Sequence, residues 1–185
     1  MILFDLFLLA TGEAMDACTV SMAKGTSVRK LTLRHYMSVG LWFGGFQAIM
    51  TLVGYFAGSE FAYIVESCDH WISFVLLTLL GVGMIKESLS HDEKPIDVSF
   101  AAKNMLIMAI ATSIDALAVG VSLAFEYVNI WMAAILIGVV TYPLSIVGLK
   151  IGNIFGNRYK TIAEIIGGVV LIFIGTKILI SHLMA

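Results

Sequence analysis

Apolar residues run in six stretches of about twenty, separated by short polar segments, over 2–23, 35–58, 69–88, 103–125, 129–150 and 161–183. A run of that length spans a hydrocarbon core of roughly 30 Å as a helix, so the pattern predicts six transmembrane helices. One unusually apolar soluble core fails as an explanation, because soluble cores do not need runs this long. The six helices use most of the chain and leave no room for a separate soluble domain. The fold class expected is therefore an all-α integral membrane protein in the lipid bilayer. The only sizeable connection, about 88–103, holds His91, Asp92, Glu93, Lys94, Pro95 and Asp97 and reads as a solvated loop.

Composition sharpens this without changing it. Of 185 residues, 59% are hydrophobic and 13% charged, with a mean hydropathy of +0.97. Soluble domains carry roughly 25% charged residues. The first run does not read as a cleaved signal peptide, since it lacks a basic leading region and contains Glu13 and Asp16. Cys18 and Cys68 offer neither a disulfide framework nor a metal-binding pair.

The distribution of charge sets an orientation. Lys24, Arg29, Lys30 and Arg34 follow the first run, Lys86, Lys94 and Lys103 flank the central loop, and Lys150, Arg158 and Lys160 lie between the fifth and sixth runs. The other two loops hold Glu60, Glu66, Asp69 and Glu126 with no Lys or Arg. By the positive-inside rule the first, third and fifth loops are cytoplasmic and both termini face outward. The basic run from Lys24 to Arg34 thus reads as a topology signal touching anionic lipid rather than a nucleic-acid patch. Lys177 is expected to snorkel from the last helix.

Two halves of the chain repeat one another. Ala14-Met15-Asp16-Ala17 is echoed by Ser113-Ile114-Asp115-Ala116, with the aspartates 99 residues apart. Gly44, Gly54, Gly58 and Gly81 match Gly138, Gly148, Gly152 and Gly175 at an offset of 94, which also places His70 on Glu164. Each half holds three spans, an odd number, so the second enters the membrane from the opposite side. The expected architecture is two inverted-topology three-helix repeats, about 1–88 and about 103–185, forming a single transporter domain.

A carboxylate inside a bilayer costs about 3 kcal/mol or more, which makes Asp16 and Asp115 functional candidates. Helix rise places Asp16 ~21 Å from the outer end of its span and Asp115 ~18 Å from the inner end of its own, both near mid-membrane. Two close carboxylates stay ionised together only around a cation; otherwise the pair retains a proton. Such a pair can hold a divalent metal or protons in alternation. Glu13 and Thr112 each precede their aspartate by three residues on the same helix face, and Gln47 and Thr141 are repeat equivalents with Ser145 one turn beyond. The set is all oxygen, which suits Mg, Ca or Mn. Pro143 is a candidate kink in the fifth span. No Walker motif appears, pointing to an ion gradient as energy source.

Several segments then resemble one family. Met15-Asp16-Ala17 with Ser21 and Lys24-Gly25, Phe43-Gly44-Gly45-Phe46-Gln47, His70-Trp71-Ile72-Ser73-Phe74 with Gly81, the run from Ala111 to Gly120 around Thr112-Ser113-Ile114-Asp115, and Ala163-Glu164-Ile165-Ile166-Gly167-Gly168 are similar to the spans of the MntP-type manganese efflux pumps, of the lysine-exporter superfamily. The resemblance covers essentially the whole chain. It implies export of Mn2+ from the cytoplasm of a prokaryote across the inner membrane, with Asp16 and Asp115 central, Mn2+ as cargo and no cofactor. Glu13 and Thr51 depart from the pattern, and Gln47 matches one of its two forms. The competing readings are a carrier of another cation or a small solute, an intramembrane aspartyl protease, and a structural subunit. The protease would carry a GxGD-type motif where Thr112-Ser113-Ile114-Asp115 stands, and a structural subunit leaves the aspartates unexplained.

Overall fold

The computed structural model describes residues 3–26, 28, 30–65, 69–89, 100–126, 128–155 and 160–183. The central loop anticipated at about 88–103 falls mostly outside them, as does Cys68, and so do the side chains of His70 and Glu164. The described residues form seven helices: α1 (Leu3–Thr26), α2 (Leu33–Val65), α3 (Asp69–Leu89), α4 (Ala102–Thr112), α5 (Ile114–Ala124), α6 (Ile130–Phe155) and α7 (Lys160–Leu183). Leu33–Glu60, Ala102–Ala124 and Ile130–Phe155 are long and apolar enough to cross a membrane, and Phe74–Gly83 and Ile165–Lys177 are shorter apolar stretches. α1 carries Asp5, Glu13, Asp16 and Lys24 along its length.

Polarity is arranged inside out. Phe4, Leu33, Ile49, Trp131, Ile135 and Phe173 are exposed on the periphery, while Glu13, Gln47, Thr51, Ser113, Thr141 and Ser145 are buried. An apolar surface of this extent is unstable in water and suited to lipid. The chain is an all-helical, multi-pass membrane protein.

Helix α1 packs on α6 and α7, α2 on α6 and α5, and α3 on α7 and α5. Glycine sets how closely they approach. A Cβ on Gly44 would lie 2.8 Å from the Gly138 carbonyl oxygen, and one on Gly138 3.0 Å from that of Gly44. Gly54 presses on the Leu117 carbonyl as Gly148 does on that of Cys18; Gly58 meets Val121 as Gly152 meets Met22. Gly81 packs on Gly168, and Gly175 on Phe74 and Leu77. These contacts fall in pairs under the two offsets of the sequence, 94 and 99 residues.

Two apolar clusters lie along the bundle. One holds Leu6, Leu9, Leu77, Leu123, Ile137 and Leu171, the other Val39, Phe43, Met105, Ala109 and Leu149. On α1, Glu13 and Asp16 come after Leu9 of the first cluster, and Glu13 precedes Ala17 of the second.

Three expectations need correction. The fourth span is not one helix: Ser113, at φ −108° and ψ 9°, separates α4 from α5. The second span does not end at 58, for α2 continues to Val65; α6 runs through Pro143, which is exposed. Lys177 does not simply snorkel; its ammonium pairs with the Asp5 carboxylate, joining α1 to α7. With Lys177 46% exposed, that pair contributes little, about 1 kcal/mol at most.

Candidate functional site

The break at Ser113 has a local cause. The Ser113 hydroxyl donates to the Ala109 carbonyl at 2.6 Å, and the Thr112 hydroxyl to that of Met108 at 3.0 Å. Two successive hydroxyls bonding backward compete with the helix's own amides and bend it. The Ser113 amide consequently bonds Ile110 at 3.2 Å, one residue short of the α pattern, before Leu117 to Ser113 (3.1 Å) resumes it. In α1 the positions matching Thr112 and Ser113 are Glu13 and Ala14, which offer no hydroxyl, and that helix is continuous.

Asp115 thereby falls in the first turn of α5, where amides lack helical partners. Its Oδ1 accepts the Ala116 amide at 2.9 Å, and the N-terminal end of a helix favours its negative charge. Asp16 lies in the middle of the uninterrupted α1. Both aspartates keep part of their surface open, whereas Glu13 is fully enclosed. Glu13 and Asp16 both lie close enough to Asp115 for their charges to act on it, and the Glu13 carboxyl is within hydrogen-bonding reach of that of Asp115.

Gln47 and Thr141 meet directly. The Thr141 hydroxyl donates to Gln47 Oε1, a bond between residues 94 apart, and Gln47 Nε2 donates to the Glu13 backbone carbonyl at 3.2 Å. The Thr51 hydroxyl bonds the Gln47 carbonyl at 2.8 Å. Gln47 therefore braces α1 against α6, with its amide oxygen and nitrogen both engaged. Ser145 is fully buried on α6, and its hydroxyl has no hydrogen-bond partner; no amide or hydroxyl donor reaches the Glu13 carboxylate oxygens.

The structure thus brings Asp16, Asp115 and Glu13 together and joins Gln47 to Thr141, while Thr112 shapes the break rather than facing its neighbours through its proton. Among the described residues no three His, Cys, Asp or Glu side chains form a ready-made metal cage. A site of two or three carboxylates suits a hard cation that keeps several waters.

Sequence reading gave Ser113 and Thr51 no place in the site, although Thr112-Ser113 one residue ahead of Ile114-Asp115 was a usable signal. Lys24 was misread. Expected to touch anionic lipid with the rest of its basic run, it is fully buried, its ammonium 4.7 Å from the Phe100 ring centroid. Phe100 also stacks against His35 at 4.5 Å, and Asn153 Nδ2 donates to the carbonyls of Gly25 (3.1 Å) and Val28, so the end of α1 is tied to α2, α6 and the start of α4. Cation–aromatic contact and stem burial both stabilise this arrangement. Lys24→Ala is expected to cost about 2 kcal/mol or more by leaving a cavity, and Lys24→Met less. Equal thermal midpoints for wild type and Lys24→Ala in detergent would show the ammonium to be in solvent.

Comparison with known proteins follows this geometry. Residues 30–179 match the family described as "Putative manganese efflux pump". Curated relatives bearing that description include proteins of Campylobacter jejuni, 54% identical over 97% of this chain and 97% of the relative, and of Desulfitobacterium hafniense, 49% identical over 97% and 95%. One from Acetivibrio thermocellus is 48% identical over 97% of this chain and 91% of the relative. No solved structure matches the chain.

Proposed function

The chain belongs to the manganese efflux pump family, a family of transporters rather than enzymes, and from that premise we propose how it moves its cargo. Mn2+ is the substrate, and no cofactor is implied. The site is the Asp16–Asp115 pair at mid-membrane, one carboxylate from each half, with Gln47 and Thr141 holding α1, α2 and α6 around it and Ser145 and Thr112 lining the approach. The observation that carries this reading is that aspartates 99 residues apart in sequence feel each other's charge inside one helix bundle.

The paired contacts support an inverted repeat: Gly44 on Gly138, Gly54 and Gly148 on carbonyls 99 residues apart, and Gln47 on Thr141. An odd number of spans per half then puts both termini outside the cytoplasmic membrane. In the loaded site two carboxylates balance the two positive charges of the ion, and waters complete its shell. When the ion leaves, like charges repel, and two protons taken from the outer side, one on each carboxylate, restore balance. Each cycle thereby exchanges metal for protons.

The test is cellular. Cells expressing this chain are expected to tolerate external Mn2+ and to hold less manganese than cells lacking it, read by elemental mass spectrometry. Unchanged cellular manganese would remove the cargo assignment. Transport from loaded vesicles in competition with Fe2+, Zn2+, Ca2+ and Mg2+ measures selectivity, and efficient competition by Ca2+ or Mg2+ would broaden the cargo to hard divalent cations. Imposing a pH gradient of either sign tests the coupling; rates indifferent to it would exclude protons.

A further inference from the structure

We infer that Glu13 is a third carboxylate ligand of the transported ion, so that this chain's site holds its cargo with three negative charges rather than two. The inference rests on the Asp16–Asp115 reading and extends it.

Glu13 is fully buried, no amide or hydroxyl bonds either of its carboxylate oxygens, and the group its side chain meets is the Asp115 carboxyl. A carboxyl group kept for packing would be expected to bond a neighbour, because a buried polar group without a partner is destabilising. The surroundings do offer polar atoms, yet they bond elsewhere. Gln47 reaches α1 at this residue, but its Nε2 takes the Glu13 backbone carbonyl at 3.2 Å, and its Oε1 takes the Thr141 hydroxyl. The turn carrying Glu13 is therefore fixed by its main chain, and its side chain is left facing the Asp115 carboxyl.

Direction favours the same reading. Glu13 stands one turn before Asp16, on the same face of α1, and the charge of Asp16 and the carboxyl of Asp115 act on it. Three acidic groups gathered without an Arg or Lys bonded to Glu13 ionise together only around a cation and otherwise hold protons. The Ser145 hydroxyl, buried and unpartnered on α6, is a further oxygen donor not spent on the fold. Among the described residues the acidic groups form no cage, so coordination by all three requires them to close around the ion. Cargo bound by three carboxylates leaves a net charge of about −1, which strengthens binding of divalent ions and slows their release.

The experiment uses the full chain in lipid nanodiscs, with Mn2+ itself as probe and loss of the free-ion paramagnetic resonance signal as readout. Glu13→Gln is expected to weaken Mn2+ binding at least tenfold without lowering the thermal midpoint, Glu13→Asp to recover part of the loss, and Asp16→Asn/Asp115→Asn to abolish binding. Wild-type affinity in Glu13→Gln, alongside a dead double aspartate variant, overturns the third ligand and leaves the pair intact. Wild-type affinity in the double aspartate variant removes the pair and the inference together. If Glu13→Gln does not accumulate, wild-type protein labelled with carboxyl-13C glutamate decides the matter. One equivalent of Mn2+ then shifts a labelled carboxylate stretch if a glutamate ligates, and its failure to do so overturns the inference.

Discussion

Asparagine at position 115 is expected to give a protein that reaches the membrane in normal amount and exports Mn2+ at least 100-fold more slowly. Asparagine keeps the shape of aspartate and its Oδ1, so the 2.9 Å bond accepted from the Ala116 amide, which closes the first turn of α5, is retained. What disappears is the charge. Inside the bundle that charge is screened far less than in water, so its loss removes an attraction for a divalent ion worth several powers of ten in affinity. Asp115→Ala should behave differently: it loses the charge and also the oxygen that accepts the Ala116 amide, at a further cost of about 1 kcal/mol in stability. Asp16→Asn should match Asp115→Asn in transport, and Asp16→Ala should spare stability better, because α1 is continuous there and does not depend on Asp16 to begin it. Cellular manganese and membrane abundance, measured on the same cultures, give the answer. Export by Asp115→Asn at half the wild-type rate or more, at equal abundance, would separate the carboxylate from transport.

The second large effect concerns packing. Gly54→Leu should prevent accumulation of folded protein, and Gly148→Leu should do the same. At both positions a Cβ would collide with a backbone carbonyl, of Leu117 and Cys18 respectively. A backbone oxygen cannot swing aside as a side chain does, so the helices themselves must part. Overpacking in tight cores costs about 1–3 kcal/mol when side chains can yield, and more is expected here. Leu117 lies two residues beyond Asp115, so the displacement also moves the carboxylate. Gly45 and Gly83 serve as controls, because nothing lies within 4 Å of a Cβ at either. Leucine there should leave the thermal midpoint within about 1 °C. A stable Gly54→Leu protein would mean that α2 and α5 are farther apart than described.

What could be read from the sequence follows from where the signal is periodic and where it is local. Apolar length located the helices closely: α3 (Asp69–Leu89) and α7 (Lys160–Leu183) sit almost where their runs do, although α2 continues to Val65. Repeat offsets anticipated that Gln47 and Thr141 occupy equivalent places, and the two are bonded. The interruption at Ser113 was not anticipated, because serine is no helix breaker by itself. Its effect depends on a neighbouring Thr112 bonding the same way. Lys24 was misjudged for a related reason. Loop charge statistics describe flanks, and they do not reveal that α1 extends to Thr26 or that Phe100 returns to cover the ammonium. The acidic pair stood out on cost alone, whereas the lack of an amide donor at Glu13 depends on Gln47 choosing a carbonyl over a carboxylate, a choice that only coordinates reveal.

The single-residue gap between α4 and α5 also gives the two halves different mechanical characters. A helix transmits force as a rod because every turn is bonded to the next. Parting that ladder at Ser113 leaves two short levers sharing a swivel. Both touch α2, but α4 leans also on α1 and α5 on α3, so a shift between those neighbours is taken up at the swivel rather than by bending. The α1 rod, unbroken from Leu3 to Thr26, has no such joint. One carboxylate is therefore mounted rigidly and the other on a pivot, like the fixed and moving jaws of a clamp. The halves echo each other in chemistry and differ in compliance.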